Sequence, residues 1–154
     1  MTEAIKNFLS YNEIGSKWKR SEMNSEAARI LTLKQVEAFE KIINDDSSWE
    51  LMLSVFKNGR NVDAWLALDW PYGFDELLLC VPLCRLVDFE CSRCTIGSRQ
   101  ENNSCAHDFS LFGYVAELLK TADRESLKKH IISIKKMLTD ENYKWNMILL
   151  RIEN

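Results

Sequence analysis

Proline is scarce in this chain of 154 residues: with two prolines and five glycines there is no collagen-like repeat, no Pro/Gly/Ser-rich linker and no low-complexity tract. A bilayer-spanning run is missing too. The longest strongly apolar stretch, residues 77–84, contains Pro82 and falls far short of the roughly 20 residues a transmembrane helix needs. The opening MTEAIKNFLSYNEIGSKWKR carries isolated apolar residues at helical spacing in place of the uninterrupted apolar core of a signal peptide. A cytoplasmic location and no membrane partner are therefore expected.

Catalytic signatures are equally scarce. The chain has no Gly-rich phosphate loop, no G-x-S-x-G elbow and no H-E-x-x-H pair. Its adjacent carboxylates, Asp45-Asp46 and Asp75-Glu76, would point about 100° apart on a helix, which suits solvated surface charge better than paired acid-base work. On these grounds no enzyme is expected.

What is present is enough to fold. Hydrophobic residues make up 46% and charged residues 28%, the balance of a globular chain, and at this length roughly 68 to 70% of the unfolded surface is buried without help from staples. Neither an internal repeat nor a linker divides it, so residues 1–154 read as a single domain.

Helical patterning dominates. Ile5, Phe8 and Leu9 predict a short first helix, followed by a polar link through Gly15 to about Asn24. Thr32 and Gln35 have capping-box spacing ahead of Val36, Phe39, Ile42 and Ile43, which with Leu33 fall on one helical face. Ser47 and Glu50 repeat the device ahead of Met52, Leu53 and Phe56, with Asn58-Gly59 as a left-handed stop. Leu111, Phe112, Val115, Leu118 and Leu119 form one further apolar face, and Leu127, Ile131, Ile134 and Leu138 another whose outer side carries Lys128, Lys129, Lys135 and Lys136. Residues 143–152 are apolar without a clear period. In the middle, Pro82 interrupts the pattern, and residues 83–90 read equally as helix or as one strand of a small hairpin. The fold class expected is mainly α, a single compact helical domain with room for a minor β-hairpin.

Five cysteines, an odd number, crowd into residues 80–105, so a disulfide framework is not expected. Cys91 and Cys94 form a C-x2-C pair that can aim two thiolates at one zinc ion, with Cys105 and His107 as the second pair and Cys80 and Cys84 as substitutes. C-x-H is tighter than the usual second pair. Reduced cysteines filling the core as small apolar residues are the competing reading. Catalysis by Cys105 with His107 or His130 as base demands geometry that spacing alone does not supply.

The stretch VDAWLALDWPYGFDELLL, residues 62–79, interleaves Trp65, Trp70, Tyr72 and Phe74 with Asp63, Asp69, Asp75 and Glu76 around a Pro-Tyr-Gly turn. Rigid aromatics give contact area at low entropic cost, and like charges around them steer a basic partner. Inward packing of the same aromatics, with the acids left wet, is the alternative. Charge is unevenly spread on a wider scale. Residues 41–91 hold nine acidic side chains against four basic, whereas residues 120–137 hold six basic against two acidic. The lysines, with Lys17, Lys19 and Arg20, would serve a nucleic-acid-binding module, but the overall charge of -3 argues against direct nucleic-acid contact. A small zinc-binding regulatory protein is the other rival.

Carried by VDAWLALDWPYGFDELLL and by ECSRCTIGSRQENNSCAHDF, residues 90–109, the whole chain resembles in type the bacterial toxin-immunity proteins of contact-dependent growth-inhibition systems. That resemblance implies a stoichiometric inhibitor that binds the C-terminal domain of a cognate toxin, a nuclease and often basic, and covers its active site or blocks access to substrate. It transfers no residue role from a template. The residues expected at the contact are Asp63, Asp69, Trp70, Tyr72, Asp75 and Glu76.

Overall fold

A computed structural model of the chain describes residues 2–17, 24–57, 94, 111 and 113–143. Among these lie five helices and no strand: α1 (Glu3–Lys17), α2 (Ser25–Asn44), α3 (Asp46–Lys57), α4 (Gly113–Lys120) and α5 (Arg124–Thr139). The fold is mainly α. The segment read as helix or hairpin, residues 83–90, lies outside the described residues.

Helix α2 is the hub. Its 20 residues span about 30 Å, and it packs against α1, α3 and α5, while α4 rests on α3 and α5. Apolar periodicity explains this placement: Ala28, Val36, Ala38, Phe39, Ile42 and Ile43 are all buried, as are Ile5 and Phe8 of α1 and Leu127, Ile131, Ile134, Met137 and Leu138 of α5. Phe8 and Phe39 meet with ring centroids 5.6 Å apart and planes tilted by 48°, a geometry that keeps the negative ring faces from opposing each other. Helices α2 and α5 run antiparallel, because Arg124 at the start of α5 donates to the Ile43 carbonyl at the end of α2, and Arg29 near the start of α2 donates to the Leu138 carbonyl near the end of α5.

Three starts and stops differ from expectation. Helix α1 does not end ahead of Gly15 but continues to Lys17, so the polar link is shorter. Helix α2 begins a full two turns before Thr32. Asn24 is the N-cap, its side chain accepting from Ala27 N at 2.8 Å, and Thr32 is buried in mid-helix with its hydroxyl donating to the Ala28 carbonyl. Gln35, expected to close that capping box, donates instead to the Tyr11 carbonyl of α1. In α3 the capping oxygen comes from Asp45 and not Ser47: one carboxylate oxygen accepts both the N-H and the hydroxyl of Ser48. Thr2 bonds that same hydroxyl and accepts from Ile5 N, so the caps of α1 and α3 form one chain of hydrogen bonds. The Asn58-Gly59 stop lies outside the described residues.

Between α4 and α5 the chain turns sharply. Asp123 N bonds Leu118 O and Ala122 N bonds Leu119 O, the paired closure of a helix end that requires a left-handed residue. Ala122 supplies it with φ 54°, where glycine is the usual occupant. Asp123 then caps α5 by accepting from Ser126 N at 3.1 Å.

Candidate partner-binding surfaces

Where α2 meets α3, the apolar residues Ile42, Ile43, Trp49, Met52 and Leu53 turn inward and Asp45, Asp46 and Glu50 stay exposed. Asp123 is exposed beside them, brought there because its neighbour Arg124 bonds both the Ile43 carbonyl and Asp46. The result is an acidic corner. Ser48, through its hydroxyl and then its N-H, holds the Asp45 carboxyl below its ordinary value of 3.8, so it is charged over the physiological range. Arg124 offsets part of this charge, since it meets Asp46 at 2.8 Å and its side chain, 23% exposed, lies over the Trp49 ring at 5.6 Å, so the four carboxylates outnumber one cation.

Along α5 the sign reverses. Lys128, Lys129, Lys135 and Lys136 stand three or four residues on either side of Ile132, which is 51% exposed, so the four ammonium groups surround one apolar side chain on the outer face. Lys128 reaches Glu125 at 3.4 Å, Lys135 reaches Glu40 at 3.0 Å, and Lys136 lies 5.6 Å over the Tyr143 ring. Lys129 has no ion pair among the described residues. Both surfaces are built on rigid helices and held apart by α5 itself.

On the inner face of α5, His130 has no solvent exposure. Its Nε2 bonds the Leu111 carbonyl, and because a carbonyl only accepts, that nitrogen carries the proton. The Tyr114 ring meets it edge-on at 5.0 Å. Burial pushes its pKa down from 6.5 to about 4, the hydrogen bond to Leu111 opposing. The neutral imidazole ties α5 to the entry to α4, and Cys105, its suggested partner, lies outside the described residues.

The six expected contact residues, Asp63, Asp69, Trp70, Tyr72, Asp75 and Glu76, lie outside the described residues. So do Cys91, Cys105 and His107 of the candidate zinc set, the substitutes Cys80 and Cys84, and Lys19 and Arg20. Cys94 alone of the zinc set is described: it is a free thiol, 5% exposed, within the apolar core cluster. Sequence reading found the lysine face of α5 but missed its counterpart. The acidic corner depends on Arg124 joining α5 to the α2-α3 junction across 78 positions, which no local pattern displays. No protein-family model, no curated protein and no solved structure matches the chain.

Proposed function

We propose that the chain is an immunity protein: it binds a cognate bacterial toxin domain, a nuclease, in the cytoplasm and neutralises it by protein-protein contact, without catalysis of its own. One observation carries this reading, the acidic and aromatic stretch of residues 62–79 set within a block, residues 41–91, of nine acids and four bases. The described part of that block supports it. There Ile42, Ile43, Trp49, Met52 and Leu53 are buried and Asp45, Asp46 and Glu50 face solvent, the division of labour a steering surface needs.

The physical logic lies in the target. A nuclease must hold a polyanionic backbone, so its substrate groove is positively charged, and an acidic protein surface is drawn to that groove by the same force. Aromatic side chains then supply the desolvated contact that keeps the complex together.

The experiment is reconstitution with the toxin domain encoded beside this gene. Purified chain and toxin domain, mixed in equal amounts, are expected to elute as a one-to-one complex and to lose nucleic-acid cleavage. A toxin domain that stays fully active in the presence of excess chain rejects the proposal.

A further inference from the structure

The lysine face of α5 is well made for contact, yet nothing among the described residues covers it. Ile132 stands half exposed at its centre; Lys128 is held by Glu125 and Lys135 by Glu40, so the charge offered there is mainly that of the exposed Lys129 and Lys136, which recruits a partner while the apolar centre gains by losing water. The question is what sits there.

Antiparallel pairing of α5 with α5 of another copy is disfavoured by charge. An antiparallel pairing centred on Ile132 would set Lys128 against Lys136 and Lys129 against Lys135 of the second helix, and like charges directly opposed are destabilising. The occupant must be acidic. The chain carries such a surface at the α2-α3 corner, where Asp45, Asp46, Glu50 and Asp123 are all exposed. A molecule cannot bring its own corner onto its own lysine face, because both are anchored to the same helix. Asp46 is tied to Arg124 at the first residue of α5, and Ile132 lies eight residues on, about 12 Å away at 1.5 Å per residue. A second copy has no such restriction.

We infer that the chain associates with itself head to tail, the acidic corner of one copy docking on the Ile132-centred lysine face of the next. The contact is heterologous, so each docked pair leaves one corner and one lysine face open, and association grows with concentration instead of stopping at a closed dimer. It is electrostatic in origin and falls as salt screens the charges. This inference goes beyond the immunity reading and does not depend on it. A basic partner that seized the acidic corner would dissolve the association.

Two variants test it on the chain alone. Lys129→Gln with Lys136→Gln destroys the lysine face and keeps the corner; Asp46→Asn with Glu50→Gln destroys the corner and keeps the lysine face. All four side chains are exposed, and circular dichroism checks that both variants fold. In sedimentation at about 0.01 M salt, where the Debye length is about 30 Å, the unaltered chain is expected to show a mass rising with concentration, returning to 18.0 kDa at about 1 M, where it is about 3 Å. Each variant by itself is expected to stay monomeric. Mixed together they are expected to form a one-to-one dimer and nothing larger, because only one intact corner meets one intact lysine face. Ile132→Ser, which leaves every charge in place, is expected to weaken association at least tenfold. A monomer at all concentrations in low salt, or a mixture that fails to form the dimer, overturns the inference.

Discussion

Arg124 shows how much one side chain can organise. Its Nε bonds the Ile43 carbonyl at 2.7 Å, one of its terminal nitrogens meets Asp46 at 2.8 Å, and the guanidinium covers Trp49, so a single planar group closes the end of α2, the first turn of α3 and the start of α5. His130 does the corresponding work inside, and its burial gives a pH signature. Its folded pKa of about 4 lies below the ordinary 6.5, so between those values the unfolded chain binds a proton that the folded chain refuses. Stability from this group is therefore full above about 6.5, declines as pH falls toward about 4, and is lost by about 3 kcal/mol in all, on the order of 1.4 kcal/mol per unit. His130→Gln, which keeps a side-chain N-H for Leu111 and has nothing to titrate, is expected to remove that slope from urea-unfolding free energies measured from pH 7 to pH 4. An unchanged slope contradicts the assignment.

At the scale of elements, the α4-α5 turn carries a local misfit with a measurable consequence. Ala122 occupies a left-handed conformation at φ 54°, which strains any residue with a Cβ by roughly 1 to 2 kcal/mol, while glycine gives back part of that through its looser unfolded chain. Ala122→Gly is expected to raise stability by about 1 kcal/mol and the melting temperature by about 2 to 4 °C, read by calorimetry. A fall would mean that the Ala122 methyl, which packs against the core, matters more than the backbone. Elements also show where sequence reading succeeds. The apolar faces of α2, α3, α4 and α5 were legible because helical periodicity is a local property, and Val36, Phe39, Ile42, Ile43, Leu127, Ile131, Ile134 and Leu138 are buried as expected. Starts were less legible. Thr32 and Gln35 fit a capping box in spacing, but the apolar face extends back to Ala28, and a helix goes on as long as it has a partner to pack against. At α3 the true cap, Asp45, stands two residues before the serine that spacing favoured.

For the molecule as a whole, uneven charge is the property on which the proposed function rests. If the acids of residues 62–79 steer a basic toxin domain, then Asp69→Lys with Asp75→Lys is expected to slow association about tenfold or more at low salt and to flatten its dependence on ionic strength, with a smaller change in dissociation. Stopped-flow or surface-based kinetics reads both rates, and association that keeps its speed and salt dependence in this variant removes those acids from the interface.

Composition and periodicity were by themselves enough to determine a helical chain, the inward faces of its helices, and the segregation of acids and lysines along its length, since each is a local or additive property of the residues. Only the tertiary structure decided that Arg124 gathers the α2-α3 acids beside Asp123, that His130 is sealed against Leu111, and that Ile132 is left outside amid its lysines. Those outcomes rest on contacts between residues from 19 to 81 positions apart and on which side of each helix finds a neighbour, and chain order carries no record of either.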